Sequence, residues 1–436
     1  MAQTAVPAAR RGAGRDGPRV LLLGPTFSPD DVGGMQIAIR DLAHQLDELG
    51  YRAETFIDPV GRAGDAGGPA LRTTRARSKL ASLARLRGLF TLWHRLPVRM
   101  RRAIAALFMP LDHYVGASDN LAAVEALLAG VAADDIVLCF VDGSPPGMTA
   151  LVTGRHSRTL VVSLGGLADE LRAGWWPLAR LLCRLRYRRK FHSHLLRRAE
   201  PGAIRAAVFA SRGWRDEALA AGLPPGRDHT VYFGIPCPPP VQRPECEGRR
   251  ILWLGRLVPD KGLHLILDEF ARIRARHGDL RLTAVAAQGQ AEYRGRILEM
   301  IDAHGLTGSV ELLATVEREE LQALYASHDL LFFYSRYGDP VALVMMEAFA
   351  AGLPVVASQA QPGAALVRDG ETCLCYDPAD GDSIVDAVSR LLSDAELASG
   401  LAARADRLVR AQFSLEAMGR AYDEVLRANF EDLRRD

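Results

Sequence analysis

The chain has 436 residues, of which 48% are hydrophobic and 24% are charged, so it can bury a large core and is not a disordered chain. This length predicts two or three domains. The formal net charge of +2 conceals an asymmetry: residues 1–240 hold 32 basic and 21 acidic side chains, whereas residues 241–436 hold 22 and 31. A basic half joined to an acidic half predicts an acidic partner for the first half only.

Membrane spans, zinc sites and disulfide frameworks are not indicated. No apolar run reaches the ~18 residues that a spanning helix needs. The six cysteines are scattered without a Cys-x-x-Cys pair, which fits a reducing, cytoplasmic compartment. Residues 1–17 are rich in Ala, Arg and Gly, and we predict a disordered tail there.

Residues 18–233 alternate short apolar runs with helical periodicity. The first apolar run ends at Gly24, and apolar residues then recur at helical spacing from Ile37 to Gly50. Strands are predicted over 19–24, 53–57, 135–140, 159–164 and 207–210. A strand–helix alternation of this kind predicts a parallel sheet covered on both faces.

The alternation stops at 234–248, where five prolines fall within eleven residues and predict an extended inter-domain linker. It then restarts in a second unit over 249–413, followed by a C-terminal helix over 414–436. Strands are predicted over 250–254, 280–286, 310–313, 330–334 and 354–357, with helices between them. The chain is therefore predicted to be α/β, with two doubly wound, Rossmann-like domains that face each other across a ligand-binding cleft.

The strongest chemical motif is Trp-Leu-Gly-Arg-Leu-Val-Pro-Asp-Lys-Gly at 253–262. It places Arg256 and Lys261 between a predicted strand and a predicted helix. Two cations beside the positive end of a helix favour binding of a diphosphate. The alternative is a solvated turn with ordinary surface charges.

A second motif at 338–358 carries two acids eight positions apart. Asp339 lies in a loop after a strand, and Glu347 lies in the following helix, whose other side chains are apolar. Such a carboxylate needs a partner, and sugar hydroxyls are suitable donors to it. The alternatives are an ion pair between Glu347 and Arg256, and a helix-capping role for Asp339.

Together these residues resemble the retaining glycosyltransferases of the GT-B fold, of the GT4-type (glycosyl transferases group 1) family. The shared features are Arg-x4-Lys, the acid-x7-Glu segment that runs into Ala-Phe-Ala-Ala-Gly-Leu-Pro-Val-Val, and Gly33-Gly34 before an amphipathic helix. The resemblance extends from about residue 20 to about residue 426. It implies that the C-terminal helix crosses back to the first domain.

The resemblance also implies roles for individual residues. Arg256 and Lys261 would hold the donor's diphosphate and stabilise the leaving group. Asp339 would contact the transferred sugar, and Glu347 would bind the nucleotide ribose. Backbone contacts to the donor are implied for Gly33, Gly34, Val341, Ala342 and Leu343.

The implied activity is transfer of a hexose-type sugar from a nucleotide-diphosphate sugar, foremost a UDP-sugar, to a hydroxyl acceptor that is lipid-linked or a glycan. No metal or other cofactor is expected. Four departures from the family pattern affect sugar and acceptor specificity. Asp339 replaces the usual Glu, and Gly165 or Gly166 takes the place of a family His. Phe233-Gly234 replaces the usual Asn-Gly before the linker, and 361–365 lacks the usual Gly-Gly-x-Pro-Glu loop. A GT-B-fold epimerase and a catalytically silent nucleotide-binding relative remain alternatives.

Asp380-Gly381-Asp382 has the Asp-x-Asp pattern that binds metal in another glycosyltransferase fold. It directly precedes an amphipathic helix, so a turn with a helix cap is the favoured interpretation.

Two segments of the first half are basic and contain no acid: 72–111 with ten Lys/Arg, and 171–199 with nine. Both contain Trp and interleave Arg with apolar residues, a pattern that favours contact with an anionic membrane surface or an anionic acceptor. The alternative is a solvated helix face. No nucleic-acid motif is present, so no nucleic-acid partner is expected, and the predicted location is cytoplasmic, peripheral to the inner face of the plasma membrane.

Overall fold

The computed structural model contains two α/β units, one from each half of the chain. It describes residues 17–24, 34–56, 128–140, 152, 156–163, 205–220, 225–239, 249–289, 291–314, 316, 318–334, 342–358 and 365–434. Some predicted features lie outside the described residues: the tail 1–16, Gly33, 164–170 with Gly165 and Gly166, the linker portion 240–248, Asp339, Val341, 361–364, and the basic segments 72–111 and 171–199.

The first unit contains a six-stranded parallel sheet with the order β2-β1-β3-β4-β5-β6. All residues of its central strands β3, β4 and β5 are buried, as expected for a parallel sheet covered on both faces. The described elements are β1 (Arg19–Leu23), α1 (Gly34–Glu48), β2 (Arg52–Phe56), β3 (Ile136–Phe140), β4 (Thr159–Ser163), β5 (Ala206–Phe209), α2 (Arg212–Ala220) and β6 (Asp228–Thr230).

The second unit contains another six-stranded parallel sheet, with the order β12-β11-β10-β7-β8-β9. Its strands are β7 (Arg250–Leu257), β8 (Arg281–Gly289), β9 (Val310–Leu313), β10 (Leu330–Phe333), β11 (Val355–Ser358) and β12 (Leu374–Tyr376). Its helices are α3 (Leu263–His277), α4 (Ala291–Ala303), α5 (Arg318–Ala326), α6 (Leu343–Ala350), α7 (Gly381–Ser393) and α8 (Ala395–Gln412). Two parallel, helix-covered sheets confirm the predicted fold class.

Each sheet has a point where the strand order reverses. In the first sheet it lies between β1 and β3, and in the second it lies between β7 and β10. Ligands of doubly wound folds bind beyond the carboxyl ends of the strands at such a point. Helix α1 starts at Gly34, after β1, and Lys261 follows β7. The fold therefore places these two motif residues at the reversal points of their own sheets.

The C-terminal helix α9 (Leu415–Asn429) returns to the first unit, as predicted. Its apolar face packs in the same core cluster as strand β1 and helix α1, with Met418, Tyr422, Val425, Leu426 and the following Phe430 buried there. Ile235, at the start of the linker, forms a backbone bridge with Ser414, just before α9. The two crossings of the chain between the units therefore lie side by side.

Some element boundaries differ from the predictions. Strand β7 continues to Leu257 instead of ending near 254, because β8 pairs with it as far as Gly289. Arg256 therefore lies on the strand and not in the loop after it. The short strands β6 and β12 and the helix α8 were not predicted. Helix α9 ends at Asn429, and a 3₁₀ turn, Glu431–Arg434, replaces its predicted last turn.

Candidate functional site

Arg256 and Lys261 are brought together by a tight turn at the end of β7. The pairing register shifts between Arg256 and Leu257, and the Val258 N–H then donates to the Arg256 carbonyl at 2.8 Å. A 3₁₀ turn, Pro259–Lys261, follows, with the Lys261 N–H donating to the Val258 carbonyl at 3.1 Å. Arg256 is exposed, and among the described residues no ion pair engages its guanidinium group. The turn therefore presents a cation at the carboxyl edge of the sheet.

The turn closes on Gly262, which has a left-handed φ of 70° and also caps helix α3. A side chain at this position would be strained, and its Cβ would overlap the ring of Tyr334, which directly follows β10. The end of the Arg256–Lys261 turn is thus packed against Tyr334, the residue that follows the adjacent strand β10. Glycine here sets the distance between the two loops that flank the reversal point.

Helix α3 begins at Leu263, two residues after Lys261, so its positive dipole end and first N–H groups lie close to the lysine in the chain. His264, in the first turn, forms a 2.7 Å hydrogen bond through Nδ1 with the Tyr293 hydroxyl. Burial lowers the pKa of His264, and nearby Arg296 acts in the same direction. The imidazole is therefore neutral near pH 7. Sequence reasoning did not single out His264, although its place in the first turn was a signal.

Helix α6, after β10, carries the other described motif residues. Ala342 is its N-cap in an extended conformation, Leu343 is its first residue, and Glu347 lies one turn further on. The Tyr325 hydroxyl, from the last turn of α5, donates to Glu347 Oε2 at 2.9 Å. Burial raises the pKa of Tyr325 well above its ordinary value, and the Glu347 carboxylate adds to this. The phenol therefore stays protonated and acts as a donor.

Glu347 also lines a pocket of about 130 Å³. The linker contributes Pro236 and Pro238, and α5 contributes Gln322 and Tyr325. This volume is below the roughly 300–1,000 Å³ of complete small-molecule sites. The pocket can therefore accept one ring of a ligand and not a whole nucleotide sugar. Tyr325 was missed by sequence reasoning, which considered Arg256 and sugar hydroxyls as partners of Glu347.

Asp380 serves as a helix cap, as favoured from the sequence. It is the N-cap of α7, and its Oδ1 accepts the backbone N–H of Asp382 at 3.0 Å. The side chain of Asp382 pairs with Arg272 of α3. The Asp-Gly-Asp segment thus caps α7 and joins it to α3 through an ion pair.

The second unit contains both a positively charged region suited to anions and a carboxylate. Arg256, Lys261 and the start of α3 supply positive potential at the reversal point, where phosphate binding is favourable. Glu347, held by a neutral phenol, can accept hydrogen bonds from hydroxyl groups. A nucleotide diphosphate linked to a sugar contains both kinds of group.

Comparison with known proteins relates the second unit of this chain to one family. Residues 241–407 match the profile of a protein family described as "Glycosyl transferases group 1". The matched region contains β7 to α7, most of α8, and all the motif residues of the second unit.

Relatives with detectable sequence similarity are named for several different transfer reactions. One is the exopolysaccharide phosphotransferase of Streptomyces coelicolor, 30% identical over 64% of this chain and 27% of that protein. Another is the alpha-D-kanosaminyltransferase of Streptomyces kanamyceticus, 29% identical over 39% of this chain and 43% of that protein. A third is the phosphatidyl-myo-inositol mannosyltransferase of Mycolicibacterium smegmatis, 28% identical over 51% of this chain and 54% of that protein. The chain thus spans between about a quarter and a half of the length of these relatives.

Solved structures share the whole fold. Sucrose-phosphate synthase from Thermosynechococcus elongatus superposes with a TM-score of 0.67 at 18% identity, covering 95% of this chain and 100% of that one. HepE from Anabaena, solved with UDP and glucose, superposes with a TM-score of 0.60 at 16% identity, covering 94% and 99%. The fold is therefore GT-B. The match to the glycosyl transferases group 1 family lies in the second unit, over residues 241–407.

Proposed function

We propose that this protein is a retaining glycosyltransferase that moves a hexose-type sugar from a nucleotide-diphosphate sugar to a hydroxyl acceptor. The observation that carries the proposal is the placement of Arg256 and Lys261 beside the start of α3, at the strand-order reversal. A UDP-sugar is the proposed donor, since the structural neighbour HepE was solved with UDP. The proposed acceptor is a lipid-linked molecule or a glycan, by analogy with the names of the relatives.

Charge separation explains why these residues suit the reaction. When the bond between the sugar and the diphosphate breaks, negative charge develops on the diphosphate and positive charge on the sugar ring. Cations that are already in position before the reaction stabilise that leaving group. Removing one such stabilising group commonly lowers kcat by a factor of about 10²–10³. Arg256 and Lys261 then take the role that a metal ion has in other sugar transferases, and we expect transfer to persist in excess EDTA.

The remaining motif residues complete the proposed donor site. Glu347 would accept the ribose hydroxyls, while the start of α6 at Ala342 and Leu343 and the first-unit Gly34 would bring backbone N–H groups to the donor. Asp339 is the proposed contact to the transferred sugar, with Gly33 and Val341 supplying further backbone contacts.

The two basic segments, 72–111 and 171–199, are proposed to hold the enzyme at an anionic membrane surface on the cytoplasmic side. The described part of the chain contains no helix that is both long and apolar enough to cross a bilayer. Surface attachment through Lys/Arg and Trp would bring the first unit close to a lipid-linked acceptor.

The experiment that tests the proposal has two steps. A thermal-shift screen of UDP-, GDP-, ADP- and dTDP-sugars identifies the donor, because a ligand at 100 times its Kd adds about 2.7 kcal/mol of stability. Transfer or donor hydrolysis is then measured for Lys261→Ala and Asp339→Ala, with Arg276→Ala on the exposed face of α3 as a matched control. We expect Lys261→Ala to lower turnover at least about 100-fold.

Unchanged turnover in both variants would show that the site is wrongly assigned. A donor that binds without turnover would indicate a silent relative, and conversion of the donor sugar without transfer would indicate an epimerase. The mass of the product distinguishes transfer of a sugar from transfer of a sugar phosphate.

A further inference from the structure

A second cavity lies at the opposite end of the second sheet from the Arg256–Lys261 turn. It has a volume of about 540 Å³ and lies where β7, β8 and β9 begin. Its polar lining consists of Arg250, Arg281, Thr283, Ser309, Glu311 and His328. We refer to it as the amino-end cavity. Arg250 and Arg256 lie near opposite ends of the same eight-residue strand, so the two sites are separate.

Strand alternation places the two arginines on one face of the sheet. On β7, Ile251 and Trp253 pack in the α3 core cluster, so Arg250 shares the opposite face with Leu252. On β8, Leu282 likewise packs toward α3, so Arg281 faces the same way as Val285. That face carries α5 and α6. The cavity therefore lies between the ends of these strands and the residues that follow α5.

The two arginines are direct neighbours across the strand pair. The Cα atoms of Arg250 and Arg281 are partners in the β7–β8 register. Like charges in this position repel each other. Among the described residues no carboxylate forms an ion pair with either guanidinium, whereas the adjacent Arg249 lies 3.8 Å from Asp279. An anion from solution would offset the repulsion, and arginine side chains bind phosphate or carboxylate in a two-point manner.

The rest of the lining is neutral or accepts hydrogen bonds. His328 is 5% exposed, and its Nδ1 lies 2.7 Å from the Leu324 carbonyl oxygen. Because a carbonyl only accepts, Nδ1 carries the proton. Burial lowers the pKa of His328, and Arg250 acts in the same direction, so the ring adds no charge near pH 7. Ser309 and Thr283 offer hydroxyls, and Glu311, the register partner of Thr283, offers a carboxylate.

These features define one ligand chemistry. The volume lies within the roughly 300–1,000 Å³ of small-molecule sites. The arginine pair attracts an anionic group, and Glu311 with the two hydroxyl side chains suits a molecule rich in hydroxyl groups. We propose that the amino-end cavity binds an anionic sugar, a hydroxyl-rich molecule of about one hexose ring that carries a phosphate or a carboxylate. This second site does not depend on the proposed catalytic function.

The test is isothermal titration of the full chain with glucose 1-phosphate, glucuronate, glucose and inorganic phosphate. We expect at least one of the two anionic sugars to bind at least tenfold more tightly than glucose and than inorganic phosphate. Tighter binding of glucose 1-phosphate would identify a sugar phosphate as the natural ligand class, and tighter binding of glucuronate would identify a uronate. Equal binding of inorganic phosphate and glucose 1-phosphate, with no binding of glucuronate, would overturn the proposal.

Variants locate the site. Arg250→Gln with Arg281→Gln is expected to weaken binding at least tenfold, while Arg249→Gln, on the neighbouring residue, leaves it unchanged. Lys261→Ala is the control for the donor site, and loss of binding in that variant alone would overturn the proposal. If the double variant does not fold, Glu311→Ala provides the test: it should weaken the sugar ligand but not inorganic phosphate.

Discussion

The hydroxyl of Tyr325 donates a 2.9 Å hydrogen bond to Oε2 of Glu347, joining the last turn of α5 to the middle of α6. Tyr325 is 2% exposed, so the bond is shielded from water on the phenol side. A buried neutral donor fixes the carboxylate without neutralising its charge. An ionised carboxylate can accept several hydrogen bonds, so this bond does not prevent Glu347 from accepting others.

Removing this hydroxyl is expected to affect donor binding more than the chemical step. Tyr325→Phe deletes a hydrogen bond to a charged group, worth about 1.5 kcal/mol at the low end of the usual range, or about tenfold in affinity. We expect the donor KM to rise about tenfold with a small change in kcat, as measured by steady-state kinetics.

Tyr51→Phe is the matched control, since the Tyr51 hydroxyl also donates to a carboxylate, Asp423 Oδ1, at 2.6 Å, but on helix α9. This variant should lower the free energy of unfolding and leave the donor KM unchanged. Equal KM values for Tyr325→Phe and the unmodified protein would show that Glu347 does not depend on Tyr325.

Gly262 is expected to be intolerant of any side chain. Gly262→Ala forces a residue with a Cβ into a φ of 70°, at a cost of about 1–2 kcal/mol, and adds the overlap with Tyr334. We expect the free energy of unfolding to fall by at least about 2 kcal/mol in urea titrations.

Gly295, on α4, provides the matched control. It is exposed within a helix, and an added Cβ would contact nothing within 4 Å. Gly295→Ala should therefore stabilise the protein by about 0.5–1 kcal/mol. Adding Tyr334→Ala to Gly262→Ala should remove the part of the destabilisation that comes from overlap with the Tyr334 ring. The part that comes from the left-handed φ at position 262 should remain. If Gly262→Ala behaved like Gly295→Ala, the described turn would be incorrect.

The contact between the C-terminal 3₁₀ turn, Glu431–Arg434, and the first unit should weaken in acid. Arg158 forms two hydrogen bonds of 2.9 Å with the Asp432 carboxylate, and these bonds lower the pKa of Asp432 below its ordinary value of 3.8. Because the pKa of Asp432 is lower in the folded than in the unfolded protein, the pair stabilises the fold fully above about pH 4. This stabilisation is lost as the pH falls through the pKa of Asp432 in the folded protein.

Because the Asp432 side chain is 56% exposed, that contribution is expected to be small, about 0.2–1 kcal/mol. Asp432→Asn should lower the free energy of unfolding at pH 7 by this amount and have a smaller effect at pH 2. The measurement is urea unfolding at both pH values. A difference that is equal at pH 7 and pH 2 would mean that the charge of Asp432 is not responsible.

The basic segments predict salt-sensitive binding to anionic membranes. We expect sedimentation with phosphatidylglycerol vesicles at low salt and none with phosphatidylcholine vesicles, since each Lys/Arg contributes about 1 kcal/mol near an anionic surface. Replacing Arg99, Arg101 and Arg102 with Gln should reduce binding strongly. Replacing the exposed Arg294 and Arg296 of α4 should not, and failure of the unmodified protein to bind would refute the surface role.

The fold could be predicted from local patterns because parallel strands that are buried on both faces are continuous apolar runs. All five strands predicted in the second half are present, and the Pro-rich run at 234–244 separates the two alternating units. The strands that escaped prediction are short: Asp228–Thr230 has no apolar residue, and its ordering depends on its neighbour β5. The extension of β7 to Leu257 depends in the same way on β8.

By itself, the sequence determined the two-unit α/β fold and singled out Arg256, Lys261 and Glu347 as candidate site residues, because hydrophobic periodicity and motif spacing are local properties of the chain. Only the tertiary structure decided which side chains these residues contact. Tyr325 forms a hydrogen bond with Glu347, 22 residues away in the chain. Tyr334, which follows the adjacent strand β10, packs against Gly262. Arg250 and Arg281 become neighbours only through the β7–β8 register. Contacts between elements depend on strand order and helix packing, which local spacing does not encode.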